Sequence, residues 1–239
     1  MTTWKKDNLR NLSLDELNKL EWVVGNGIGS YASGTVSGAL TRSYHGILVA
    51  SLHPPVERRI TVSKFDETIV CQNNQYELGT NVFNKDYIHP NGFTYLDSFE
   101  FHHYPVFNFQ TPEVYLSKTI IPIHGSNISL VKYKVLKATC SFKFEVKPFV
   151  AAKDFHHVTR AHQDINIIPP SNHCEVVIHT YNQSFPIFVH IPGSTFLSNP
   201  DWYYNFHLER ELERGLPNSE DLFCPGKFTM VLSEGDVVY

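Results

Sequence analysis

Ser141-Phe-Lys-Phe-Glu-Val-Lys147 decides the fold class of this chain. Successive side chains of an extended strand point to opposite faces, so strict alternation of apolar and charged residues marks a half-buried strand. Phe142, Phe144 and Val146 share one face, and Lys143, Glu145 and Lys147 share the other. Runs of similar length recur on both sides of it, at Gly46–Leu52, Val114–Ile121, Ile128–Leu136, Glu175–Thr180, Ile187–Ile191 and Lys227–Leu232. Turn formers separate them: Pro54-Pro55, Asn73-Asn74, Asn91-Gly92, Gly125-Ser-Asn127, Pro169-Pro170-Ser-Asn172 and Pro192-Gly193. Short strands between frequent turns, with 17 Phe and 12 Tyr to fill a core, predict an all-β fold, a large antiparallel sandwich.

Two short peripheral helices interrupt the strand pattern. Ser13-Leu-Asp-Glu16 is a capping box, in which Ser13 accepts from a first-turn amide and Glu16 reaches back. Leu14, Leu17 and Leu20 then predict an amphipathic helix ending near Glu21. The second helix is predicted between Asn199 as N-cap, with Pro200 at the first helical position, and Gly215 just past the end. Within it Leu208 and Leu212 share a face, and Glu209, Arg210, Glu213 and Arg214 pair on the solvent side.

Composition excludes several function classes. The 239 residues carry a formal net charge of −4 with no Lys/Arg run, which argues against a nucleic-acid surface. No apolar run reaches membrane-spanning length, and Met1-Thr-Thr-Trp-Lys-Lys-Asp leads into no signal-like segment. Cys71, Cys140, Cys174 and Cys224 lie far apart without a C-x-x-C pair, predicting reduced thiols in a cytoplasmic protein. His102-His103 and His156-His157, followed by His162, would point to opposite strand faces within each pair, so neither pair is expected to clamp a metal. No cofactor is expected.

Gly25-Asn-Gly27-Ile-Gly29-Ser-Tyr-Ala-Ser-Gly34 resembles a phosphate loop only in glycine content. Ser30 stands where a dinucleotide fingerprint needs its last Gly, no helix pattern follows, and Gly-Lys-Ser/Thr is missing. These glycines are expected to supply left-handed turns or close backbone approach. Thr41-Arg-Ser-Tyr-His-Gly46 then runs into an apolar strand, and Arg42, Tyr44 and His45 have the donors, hydroxyl and ring to bind sugar hydroxyls or a partner's carboxylates. The alternative is that they tie loops together inside the domain. Carboxylates that glycoside hydrolysis would need are present as Asp66-Glu67, Asp154, Glu209, Glu213 and Glu220-Asp221, the last two expected in a turn. None forms a recognisable catalytic pair, and no Ser or Cys reads as a nucleophile.

The block from Glu21-Trp-Val-Val-Gly25 through Thr41-Arg-Ser-Tyr-His-Gly46 to Ala50 closely resembles the opening of bacterial and archaeal glycogen debranching enzymes of the amylo-α-1,6-glucosidase type. Ser63-Lys-Phe-Asp-Glu67, Lys147-Pro-Phe-Val-Ala-Ala-Lys-Asp-Phe-His-His157, Trp202-Tyr-Tyr-Asn-Phe206, Glu211-Leu-Glu-Arg-Gly-Leu216 and Glu220-Asp-Leu-Phe-Cys-Pro-Gly226 resemble the same family in the same order. Departures are Ser30 for a Gly, Lys153 for an Arg, and Pro217-Asn218 for an Asp-Tyr-like pair.

The resemblance implies that residues 1–239 form a single N-terminal β-supersandwich, with an (α/α)6 barrel expected C-terminal to it. That barrel would supply the acid and base that cleave the α-1,6-linked glucose stub. This chain is then expected to hold no catalytic residue, to pack on the barrel and to help shape the cleft for an α-glucan. Asn26, Tyr31, Arg42, Tyr44 and His45 are the leading residues for that sugar site or interdomain seam, and Asp154, His156 and His157 are added by resemblance. A stand-alone α-glucan-binding module using Trp202, Tyr203 and Tyr204 as stacking platforms is the rival reading.

Overall fold

A computed structural model describes residues 4–168, 173–179 and 185–239 of the chain. The first half contributes β1 (Trp4–Asp7), β2 (Glu21–Gly25), β3 (Tyr31–Thr35), β4 (Gly46–His53), β5 (Val56–Cys71), β6 (Asn74–Glu77), β7 (Thr80–Phe83), β8 (Tyr87–Asn91) and β9 (Leu96–Phe101). Then follow β10 (Pro105–Gln110), β11 (Val114–Pro122), β12 (Ser129–Ala138), β13 (Phe142–Asp154), β14 (Asn166–Ile168), β15 (Glu175–His179) and β16 (Pro186–His190). The long strands β17 (Thr195–His207) and β18 (Ser219–Leu232) precede the short β19 (Val237–Val238). The α-helices among the described residues are α1 (Leu14–Asn18) and α2 (Glu209–Glu213).

Among the described residues all pairings are antiparallel and fall into three sheets. One has six strands in the order β1-β9-β10-β11-β12-β19. The largest has ten, in the order β2-β3-β4-β5-β13-β18-β17-β7-β8, with β6 branching from β5. The third is β14-β15-β16. The predicted alternation in β13 is present: Phe142, Phe144 and Val146 are fully buried and join one core with Phe99, Leu116 and Tyr133 of the six-stranded sheet. The chain is thus an all-β sandwich.

The outer face of the ten-stranded sheet is not simply solvated. Val49, Ile60, Phe149, Ala151, Phe206 and Leu222 form a second buried cluster there, roofed by Leu40 and Leu208. Tyr31, Phe83, Phe155, Val158 and Tyr203 pack against its margin. A sandwich that met only water on this side would place polar side chains at these positions.

Four expectations need correction. Residues 199–207 are strand, not helix: Pro200 sits where β17 shifts register against β18 between Ser198 and Asp201, an irregularity that tolerates a missing N–H. Only Glu209–Glu213 is helical, with Leu208 buried and Leu212 exposed, although Gly215 at φ 69° ends it as predicted. α1 keeps its capping box but stops at Asn18, because Glu21 already pairs with Thr35 in β2. Cys71 and Cys140 are joined as a disulfide, while Cys174 and Cys224 are free. The signal at Pro169-Pro170-Ser-Asn172 lies outside the described residues, as does Thr180 at the end of a predicted strand.

Candidate functional site

The β2–β3 hairpin and the loop after it build the first part of the site. Gly27 and Gly29 adopt φ 89° and 93°, and a Cβ on Gly29 would lie 2.6 Å from the Pro55 carbonyl oxygen. Both reasons foreseen for these glycines, left-handed backbone and close approach, thus apply. Asn26 is buried at the hairpin tip. Its Nδ2 donates to the Ser126 carbonyl at 2.6 Å and its Oδ1 accepts from the Ile28 amide at 3.2 Å, tying the tip to the turn between β11 and β12. Ser30 accepts from the Ser51 amide at 2.8 Å and touches Asn127.

Arg42 and His45 converge on Glu21. Arg42 Nε and Nη2 donate to the two Glu21 oxygens at 2.7 and 3.2 Å. His45 is buried, accepts from the Thr41 amide at Nδ1 (3.3 Å), and so presents a protonated Nε2 towards Glu21 Oε1 at 3.5 Å. The His45 and Arg42 contacts outweigh partial burial and hold Glu21 down at about 2. Burial lowers His45 despite Glu21 beside it, which favours the neutral imidazole. These two side chains therefore tie β2 to the loop beyond β3.

The same loop is clamped from α2. Glu211, buried, accepts from the Ser43 amide at 3.1 Å and from its hydroxyl at 3.3 Å through Oε1, and from Arg214 through Oε2 at 3.2 Å. The Arg210 amide donates to the Thr41 carbonyl at 2.9 Å. Tyr31 Oη and Ser33 Oγ donate to the Tyr44 carbonyl at 3.1 and 3.2 Å. Burial raises the Tyr31 phenol to about 12, leaving it a hydrogen-bond donor at ordinary pH. With its backbone fixed on both sides, the half-buried Tyr44 ring is held at the surface.

Tyr44 meets the third candidate group. Its ring centroid lies 5.7 Å from Phe155 and 6.3 Å from His156, and the Arg214 guanidinium carbon lies 5.7 Å from the Tyr44 centroid. Arg58 stands over Phe155 at 5.7 Å and donates to the Gly29 carbonyl at 2.8 Å. The chain reaches this position through a bulge in β13, where Ala152 takes φ 52° and register shifts between Val150 and Lys153. Beyond it Asp154 Oδ1 accepts from the His156 amide at 3.0 Å and faces the His156 ring at 3.1 Å. Burial works against the charged Asp154, but these His156 contacts prevail and lower its pKa. His156, His157, Val158, Ser43, Glu211 and Leu216 line a cleft of about 330 Å³ beside this patch.

The structure thus gathers Tyr31, Arg42, Tyr44, His45, Asp154, His156 and His157 around one end of the outer face, and sets Asn26 apart at the hairpin tip. Sequence reasoning passed over Glu21, Glu211, Arg214, Phe155 and Arg58. Glu21 and Glu211 open two of the blocks that carry the family resemblance, and that was the available signal. Glu220 and Asp221 are a correction: they are buried in β18, not in a turn, where Glu220 contacts Lys153 and Asp221 accepts from the amides of Ala161 and Asn205. Trp202, Tyr203 and Tyr204 form no shared platform. Trp202 packs on Phe223, Tyr203 packs on Phe149, and Tyr204 is exposed. Among the described residues no group of three or more His, Cys, Asp or Glu is placed to hold a metal ion, and no helix is long and apolar enough to cross a membrane.

The sequence that builds this sandwich and its anchored loop matches a described family. Residues 20–239 fit the family described as Glycogen debranching enzyme N terminal. The chain belongs to it. The match takes in every block on which the resemblance rested, from Glu21 to Gly226, and leaves out β1 and α1. Among curated proteins no relative matches the chain. The contacts around Glu21, Glu211 and Tyr44 all lie within the matched residues.

Proposed function

We propose that this chain is the non-catalytic part of a cytoplasmic glycogen debranching enzyme, where it packs on a catalytic (α/α)6 barrel and helps shape the α-glucan cleft. One observation carries the reading: the outer face of the ten-stranded sheet bears its own buried apolar cluster and an aromatic patch of Tyr44, Phe155 and His156 flanked by Arg58 and Arg214. Aromatic rings and arginines exposed together on a rigid scaffold are the usual anchors of a partner surface. Arg42, His45, Tyr31 and Asn26 act through Tyr44 and the hairpin, by fixing the backbone that presents them. Asp154 orients His156 in the same sense.

The glycosidic acid and base come from the barrel in this reading, and the parent enzyme would release the α-1,6-linked glucose of a limit dextrin. The test is Tyr44→Ala in the full-length enzyme. Glucose release from limit dextrin should fall by about tenfold or more, as expected for loss of an interface anchor, with the unfolding midpoint of this domain preserved. Unaltered kinetics would remove the patch from the cleft or seam. The stand-alone module reading draws less support, because Trp202, Tyr203 and Tyr204 do not share a face.

A further inference from the structure

A second cleft, of about 200 Å³, opens on the outer side of the ten-stranded sheet, walled by β5, β6, β7, β8, β13 and β17. Its floor is fixed. Asp66 Oδ2 accepts from Asn81 Nδ2 at 2.7 Å, and Asp66 Oδ1 lies 3.0 Å from the Lys64 ammonium. Lys64 in turn donates to the Gly38 and Thr80 carbonyls at 3.1 and 2.7 Å and to Asn81 Oδ1. Every partner in this network is inside the protein, and the cleft receives a preorganised carboxylate as part of its floor.

Its walls are different. Glu77 at the end of β6 and Lys147 in β13 are half-buried and line the cleft, yet neither side chain makes a hydrogen bond or ion pair. A charged group that loses part of its hydration without gaining a partner in the fold gives up free energy that a polar ligand can restore. The same cleft is lined by Tyr203, held edge-on to Phe149 with centroids 4.9 Å apart, and by Phe83, packed on Phe206 at 4.7 Å. His89 rims the opening and neighbours the exposed Tyr87 ring at 6.2 Å.

We propose that this cleft is a subsite for one pyranose unit of a sugar chain. The two unpaired groups carry opposite charge, which gives no preference for an anion or a cation and suits a ligand whose groups both donate and accept. Vicinal sugar hydroxyls do both, donating to Glu77 and accepting from Lys147, while the C–H face of the ring lies against Tyr203 or Phe83. That the pyranose is the glucosyl unit of an α-glucan rests on the family reading above. The cleft adjoins the same outer apolar cluster as the Tyr44 patch, with Phe83 and Tyr203 at one margin and Phe155 and Val158 at another. A glucan engaged at the first site could extend across this face to the second.

Calorimetric titration of the 239-residue chain with maltotriose tests the proposal. Single-site binding in the millimolar range is expected, as befits one shallow subsite, and Glu77→Ala or Lys147→Ala should each weaken it about tenfold or more. Leu136→Ala, at an exposed position of β12 in the six-stranded sheet, should leave it unchanged. Urea unfolding of each variant checks the fold, and Glu77→Gln, which keeps an acceptor, should retain more affinity than Glu77→Ala. Absence of heat up to about 10 mM maltotriose overturns the proposal. So does binding that survives both Glu77→Ala and Lys147→Ala, or that is lost with Leu136→Ala alone. None of these results touches the interface reading, which fails instead on the kinetics of Tyr44→Ala in the full-length enzyme.

Discussion

Replacing Lys153 with Met should destabilise the domain by about 3–5 kcal/mol, the usual cost of stranding one member of a buried ion pair. Lys153 and Glu220 are only 6% and 2% exposed at their side chains and are in direct contact. With the ammonium gone, Glu220 retains among the described residues only the Thr159 amide, at 3.5 Å. Repacking cannot supply a new cation, because β13 and β18 hold both backbones in the same sheet. For a domain of this size the loss corresponds to a fall in Tm on the order of 10 °C. Urea denaturation at neutral pH measures it directly, with Lys153→Met, Glu220→Met and the double variant forming a cycle. The double variant should lie within about 1–2 kcal/mol of the parent, since two apolar groups need no compensation. A single variant costing under about 1 kcal/mol, or a double variant equal to the sum of the singles, would refute the reasoning. The same cycle reports on the candidate site, because Thr159 closes the loop that carries Asp154, His156 and His157.

Three further outcomes are expected. Glu21, ordinarily near 4.5, is held at about 2 in the folded chain, so its contribution is complete above its unfolded value and is lost as pH falls from about 4.5 to 2; Glu21→Gln should flatten acid unfolding across that window, and an unchanged acid limb would show that the contact with Arg42 and His45 contributes nothing. Gly29→Ala should cost about 1–3 kcal/mol in urea unfolding, from left-handed backbone and the clash with Pro55, and a neutral result would contradict that close approach. The purified chain should release no glucose from a limit dextrin, and release proportional to chain concentration would place catalytic acids within residues 1–239.

The sandwich was legible because alternation survives wherever a strand has one wet face, as in β13, and because turn formers stand where strands reverse. Strands buried on both faces hid better. β5 spans Val56–Cys71, yet its interior holds Lys64, Asp66 and Glu67, which read as surface residues until their partners in β7, β11 and β12 are known. Pro200 mimicked a helix start because a bulge permits proline in a strand as readily as a first helical turn does. The candidate site was legible by residue type at Arg42, Tyr44 and His45, but their roles were not. Ser43 and Glu211 are 168 positions apart, and no local pattern announces that a helix carboxylate caps a distant loop. The Cys71–Cys140 pairing was equally invisible in the spacing.

The order of strands in the large sheet has a consequence for synthesis. β5 is flanked by β4, made just before it, and by β13, which begins at Phe142, about seventy residues after Cys71. β18 must arrive later still before β13 has its second neighbour. A ribosome therefore releases β5 with one long edge bare, and holds it so while β9 to β12, the middle of the six-stranded sheet, emerge. Partly made chains expose a templating edge that only β13 can cover, which makes this nascent domain a natural client for chaperones that shield unpaired strands.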